Sequence, residues 1–305
     1  MENSKFVISL DFELHWGVFD AFGENYNQNI IGARKAIPQI LDLFQKYKIN
    51  ATWATVGLLF NENKDDHANY NPLLKPSYKD KRLNSYDCEI GEDEKSDPLH
   101  YAPSLIKLIQ EYPGQEIGCH TYSHYYCKAE GQSVEEFDQD IKSSMRIAKE
   151  KFDLNLKSFV FPKNEISDEH IKVLKDNSIE IYRDSYNPKF SCNILERSYR
   201  LFNTYFTLSS FSKNTVQRRH GIKGVYGDRF LRPYTKSFMN NLMLRRIKSE
   251  MLNAAKCSSI YHLWWHPHNF GKNLVNNLEN LEQILIYFTY LNEKHNMTSV
   301  SMKDL

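Results

Sequence analysis

Three short stretches of this chain gather residue types that do chemistry together. In Ser9-Leu10-Asp11-Phe12-Glu13-Leu14-His15, two carboxylates stand two positions apart. Side chains alternate faces along a strand, so Asp11 and Glu13 point one way and Leu10, Phe12 and Leu14 the other. Like charges at short range are costly, and a bound cation would relieve that cost. An exposed strand tip is the alternative. In Glu116-Ile-Gly-Cys-His120-Thr-Tyr-Ser-His124, two histidines lie four apart just after a strand signal. One helical turn or a tight loop at that spacing brings both imidazoles to one side. Two histidines and a carboxylate are the three-ligand set of a catalytic zinc-type site with an open position. Cys119 and Cys127 suggest a rival set of two cysteines and two histidines. Cys119, however, should face away from His120, and four ligands within nine residues would be cramped.

The third stretch is Tyr261-His262-Leu-Trp264-Trp-His266-Pro267-His268. His262, Trp264 and His266 share one strand face. Pro267 cannot continue a central ladder, which puts His266 at the strand end. A buried aromatic strand with satisfied histidines is the plainer interpretation of the same residues.

Around these stretches, strand and helix signals alternate. Strands are expected at 5–13, 51–57, 116–120, 158–162, 180–183 and 260–266. Helices are expected at 32–49 and 104–111, from Ser133, from Ser167, and over about 278–293. Ser133 and Glu136 have capping-box spacing. Such alternation implies βα units and a parallel sheet, with six or seven units suiting a closed or nearly closed barrel. In β/α barrels, sites are built at the C-terminal strand ends, where all three stretches fall. Two segments break the rhythm: a polar insertion around 61–98 and a basic insertion around 190–256. The basic one carries 13 Lys and Arg against three acids, a local net of +10.

The 305 residues read as one domain spanning 1–305, since α/β barrels often exceed 250 residues. Four Trp, 19 Tyr and 18 Phe can bury a large core and exclude wholesale disorder. A net charge of +1 argues against a dedicated nucleic-acid binder. No apolar run approaches the ~20 residues of a membrane span. The opening apolar run is short and is followed at once by acids, so a cytoplasmic location is expected. Five scattered cysteines suggest reduced thiols rather than a disulfide framework.

The order Leu-Asp11-x-Glu13, Ile-Gly-Cys-His120-Thr-x-Ser-His124, Ser-Phe-Val-Phe161-Pro162, His266-Pro resembles the polysaccharide deacetylase superfamily (NodB-like, carbohydrate esterase family 4). The resemblance covers roughly residues 5–270, and Ala51-Thr-Trp fits the family's second barrel strand. It implies a distorted (β/α)7 barrel that hydrolyses N- or O-acetyl groups on sugars with a divalent metal, often zinc. Carried over, Glu13, His120 and His124 hold the metal. Asp11 is the general base and His266 the acid, with His268 as a fallback. Asp11 and Glu13 could exchange roles. Phe12 stands where the family usually has a second aspartate, leaving Glu13 to supply the ligand. The third motif lacks its usual arginine, so Lys163 or Asn164 is expected to orient the base. Lys163, Asn164, Trp264 and His268 are the expected substrate-side residues.

The implied activity is N-deacetylation of a carbohydrate in surface polysaccharide biosynthesis. The rivals are a cyclic-amide hydrolase of the allantoinase type and an inactive glycan-binding barrel. In the basic stretch, Arg197, Arg200, Arg218, Arg219, Lys223, Arg229 and Arg232 could bind phosphate, suiting a nucleotide- or lipid-phosphate-linked sugar. The apolar stripe over 238–248 could touch a membrane surface; a solvated basic face with the stripe packed on the barrel is the alternative.

Overall fold

Phe6, Ile8, Leu10 and Phe12 make one face of Lys5–Phe12 apolar, Val7, Ser9 and Asp11 lie on the other, and every residue after Lys5 is buried. Central strands of parallel sheets covered by helices have this pattern. The computed structural model describes residues 3–185, 214–235 and 237–305. In it this strand, β1, pairs in parallel with β2 (Ala51–Thr55) and β9 (Ile260–Trp265), and at its start with β10 (Thr298–Val300). Beyond β2 the parallel sheet continues through β3 (Gln115–Cys119), β4 (Ser158–Val160), β5 (Ile181–Asp184) and β7 (Ile222–Tyr226). β6 (Gln217–Arg219) lies antiparallel on β7. The turn between them holds His220 and Gly221 at φ 51° and 86°, the left-handed conformation a two-residue hairpin turn needs.

Closure falls to one bent stave. β8 (Arg229–Phe230) follows β7 after two residues and pairs with β9. Gly227 donates its N–H to Asp184 O on the β5 side (3.0 Å), and the next residue, Asp228, donates to His262 O of β9 (2.9 Å). The strand therefore leaves β5 and joins β9. With β7 and β8 counted as one stave, seven staves make the distorted (β/α)7 barrel.

The predicted alternation along β1 holds. Phe6, Ile8, Leu10, Phe12 and Leu14 face the outer core beneath the helices. Val7 faces inward and packs with Ala54, Val160, Ile181, Val225, Ile260 and Met302 in a separate interior cluster. One layer further along the same inner face are Ser9 and then Asp11.

The helices are α1 (Asn27–Tyr47), α2 (Lys64–Tyr70), α3 (Pro103–Glu111), α4 (Val134–Phe152), α5 (Asp168–Asp176), α6 (Ser237–Lys256) and α7 (Leu274–His295). α4 opens with the expected Ser133–Glu136 capping box, and Ser167 caps α5. The polar segment 61–98 is built from α2 and short turns. It docks on the chain after β3, where Tyr78 OH accepts the Tyr126 N–H (2.9 Å).

The stretch read as a basic insertion proves to be part of the barrel over 214–256, supplying the bent stave and α6. The apolar side of α6 is turned inward: Met243, Leu244, Ile247 and Met251 are buried. Asn240 and Asn280 of α7 exchange amide hydrogen bonds (2.8 and 2.6 Å). Most of the stripe that suggested a membrane contact therefore packs into the core, while Phe238 at its start is 72% exposed. No described helix is long and apolar enough to cross a membrane.

Candidate active site

Glu13 follows β1 directly and enters a 3-10 turn, Leu14–Gly17. The turn folds beneath the Glu13 carboxylate, so closely that a Cβ on Gly17 would lie 1.9 Å from Glu13 Cδ. Glycine is required there by space.

His120 follows β3. The chain then makes a tight loop, with Thr121 and His124 at φ 63° and 58°. Non-glycine residues hold that conformation only where surroundings over-determine it. Here they do. Gly57 and Leu58 donate N–H groups to Thr121 O and Tyr122 O (2.8 and 2.9 Å). Buried Asp140 on α4 accepts the N–H groups of Tyr122 and Ser123 and the Ser123 hydroxyl. Thr121 Oγ1 accepts the Tyr125 N–H (2.8 Å).

The loop turns both imidazoles onto Glu13. Its Oε2 lies 3.3 Å from His120 Nε2 and 3.2 Å from His124 Nε2, and all three residues are buried. His120 Nδ1–H donates to Val160 O (2.8 Å), which leaves the Nε2 lone pair facing a carboxylate oxygen. Two acceptors face each other stably only across a proton or a cation. The donor set suits a divalent ion such as zinc, with three protein ligands and positions left for water or substrate. Burial pushes the Glu13 carboxyl up, yet His266, His120 and His124 hold it well below the usual range. Burial pushes His124 down. Cys119 and Cys127 are buried free thiols, and neither joins a ligand-type cluster among the described residues.

Asp11 has a partner that the sequence motifs do not indicate. Arg183 on β5 grips it with two parallel hydrogen bonds, Nη1 to Oδ1 (2.6 Å) and Nη2 to Oδ2 (2.7 Å). Arg183 also donates to Ser9 Oγ (3.0 Å) and Asn164 Oδ1 (3.2 Å), and its guanidinium lies 4.2 Å from the Trp264 ring centre. Burial raises the Asp11 carboxyl, but Arg183 first, then His266 and His120, bring it below its ordinary value. Orienting Asp11 was expected of Lys163 or Asn164. Instead, Lys163 Nζ bonds Asp20 Oδ2 (2.6 Å) above the Tyr126 ring, and Asn164 reaches Asp11 only through Arg183. Ile181 faces the barrel interior, and Arg183, two residues on, faces the same way.

His266 stands at the end of β9 with Nε2 3.6 Å from Asp11 Oδ2 and 3.5 Å from Glu13 Oε1. Its Nδ1–H faces Asn269 Oδ1 (3.3 Å), and its ring stacks on His268 (centroids 4.9 Å, 15° apart). His268 is itself buried beneath His266. Burial, then the neighbouring His266, pushes it down to about 3, and it is not among the residues that line the pocket. His262 bonds Ser9 Oγ (2.8 Å) inside the barrel, and His15 pairs with His100 (2.8 Å). Eight of the nine residues expected at the site line one pocket of about 210 Å³ together with Gly17; His268 is the exception.

The basic residues are dispersed. Arg219 pairs with Asp168, Arg229 with Glu250, and Lys223 Nζ bonds Leu305 O. Arg197 and Arg200 lie outside the described residues.

Residues 19–182 match the family model of polysaccharide deacetylase. No curated protein sequence matches the chain. A Mycobacterium smegmatis structure named as a polysaccharide deacetylase superposes with TM-score 0.59 at 10% identity, covering 99% of this chain and 89% of the other. A Pseudomonas aeruginosa structure similarly named gives 0.54 at 10% identity, covering 98% and 87%. A 4-alpha-glucanotransferase of Thermococcus litoralis gives 0.56 at 12% identity, covering 100% of this chain and 40% of that enzyme. At these identities the likeness is one of fold.

Proposed function

Because the chain belongs to the polysaccharide deacetylase family, we propose that it is a metal-dependent hydrolase removing acetyl groups, N-acetyl by preference, from a carbohydrate of surface polysaccharide biosynthesis. Glu13, His120 and His124 would hold the divalent ion, zinc first. When bound, the ion supplies Lewis acidity, acidifying a water and polarising the acetyl carbonyl.

The chain's own groups do the rest. Asp11, kept ionised by Arg183, takes the proton of the attacking water as general base. Arg183 occupies both carboxylate oxygens from one side and fixes their plane, while each oxygen keeps a lone pair for that proton. His266, across the pocket, delivers a proton to the nitrogen as the C–N bond breaks. Trp264 walls the pocket beside His266, and Lys163 and Asn164 form its rim.

The observation that supports this reading most is the Asp11–Arg183 pair standing beside the Glu13–His120–His124 cluster. A buried, bidentately held carboxylate beside a histidine–carboxylate cluster suits a general base next to a metal centre, and Arg183 supplies what the altered third motif lacks. The test is metal content and acetate release from N-acetylated and O-acetylated oligosaccharides, for wild type and His120→Ala/His124→Ala. Near-stoichiometric metal and acetate release in wild type, both lost in the double variant, is expected. Full activity in the double variant would overturn the metal-dependent mechanism.

A further inference from the structure

Glu13 turns its two oxygens to two different histidine pairs. Oε2 faces His120 and His124. Oε1 faces His266 Nε2 at 3.5 Å and His268 Nδ1 at 4.0 Å. These last three ligand atoms lie within 4.8 Å of one another. The parallel stacking of the two rings presents their nitrogens side by side.

Two observations mark this cluster as more than packing. His268 is 5% exposed, and its Nδ1, aimed at Glu13, has no hydrogen-bond partner. A buried polar atom left unpaired carries a desolvation cost that a native fold rarely tolerates without a use. Second, His266 uses Nδ1–H toward Asn269, so its Nε2 lone pair faces carboxylate oxygens of both Glu13 and Asp11.

We propose that Glu13, His266 and His268 form a second, weaker cation site, and that divalent metal in excess occupies it and blocks turnover. The blockade rests on the hydrolytic reading above: the ion takes the same Nε2 lone pair of His266 that must carry the proton to the departing amine. The second site is weaker for a physical reason. Its one uncommitted carboxylate, Glu13, is shared with the first ion, and two dications bridged by it repel each other. Asp11 adds little, because Arg183 already neutralises it. No redox change or covalent bond breaking is involved: the ion binds the lone pairs of His266 Nε2 and His268 Nδ1, and His266 Nε2 is then closed to the proton it would otherwise carry.

The experiment is a zinc titration of the full chain by native mass spectrometry, with acetate release followed over the same range. Wild type is expected to take one ion tightly and a second at higher zinc, and its activity to rise and then fall. His268→Phe keeps a ring under His266 but no ligand, so it should bind one ion and lose the inhibition. His266→Gln, read by binding alone, should likewise stop at one. One ion in wild type at every concentration, or a second ion that persists in both variants, would overturn the proposal. Two ions in wild type and one in each variant without acetate release would uphold the second site and remove the deacetylase reading.

Discussion

Replacing Arg183 by methionine takes a guanidinium away from a carboxylate that has almost no water. Asp11 and Arg183 are 3% and 1% exposed and share two hydrogen bonds of 2.6 and 2.7 Å. Breaking one side of a buried, paired charge typically costs about 3–5 kcal/mol. Burial is the largest influence on the Asp11 carboxyl and Arg183 its main counterweight, so without the guanidinium burial prevails and the carboxyl moves upward. In wild type the folded-state value lies below the ordinary one. Stability from this group is therefore present above the unfolded value of about 3.9 and is lost as pH falls through the folded value. In Arg183→Met the folded value lies above the unfolded one. Its contribution is then full below about 3.9 and is lost as pH rises through the raised value. The gap in melting temperature between the two metal-free proteins should thus be smallest in acid and widen toward neutral pH. The acid limb of kcat/KM should move upward, because the base is protonated over a wider range. Thermal melts across pH and a pH–rate profile test both. A variant with an unshifted acid limb and a pH-independent gap would refute the assignment of Arg183 as the group that keeps Asp11 ionised.

Gly17→Ala pushes the Glu13 carboxylate off its seat without removing a ligand, so the fold should persist while metal affinity falls about 10–100-fold, the range seen for groups that orient ligands, as measured by metal titration. Asp140→Ala orphans three donors of the histidine loop; it should cost at least about 2 kcal/mol in denaturant unfolding and weaken metal retention. Asn240→Leu leaves the Asn280 amide buried and unpaired, costing about 1–3 kcal/mol, whereas the Asn240→Leu/Asn280→Leu double variant should cost less than the single one. A double-mutant cycle by chemical denaturation reads that difference.

Much of this was legible in the residues because it depends on short-range geometry. The inward face of β1 follows from strand parity, and the Ser133–Glu136 box follows from spacing. The histidine pair converges because four residues make one turn of a loop as they do of a helix. What could not be read depends on distant contacts. Arg183 meets Asp11 across 172 residues of chain, and β5 is only four residues long, too short to show a face by periodicity. The sixth stave is hidden because Gly227 and Asp228 interrupt it at the bend and basic residues flank it, so its composition resembles an insertion. The chain Asp97–His100–His15, with steps of 2.7 and 2.8 Å, joins residues 85 apart that no local pattern connects. His268 was misplaced for a related reason: strand parity applies through His266, and the turn at Pro267 then tucks the next imidazole underneath.

The pairing of β1 with both β2 and β9 carries a consequence for the order in which the molecule comes to life. Chains emerge from synthesis N-terminus first, and a domain generally folds as a unit once its parts are made. β1, β2, β3 and the loop after β3 are complete by residue 124, so Glu13, His120 and His124 are all synthesised early. The arm that charges Asp11 arrives only with β5. His266, the proposed proton donor, arrives only when β9 slots in beside β1, where His262 meets Ser9 across 253 residues. The residues proposed to hold the ion are thus synthesised long before those proposed to break the bond. On the proposed function, hydrolysis waits for the last stave, and reactive competence becomes a report that the barrel has been finished.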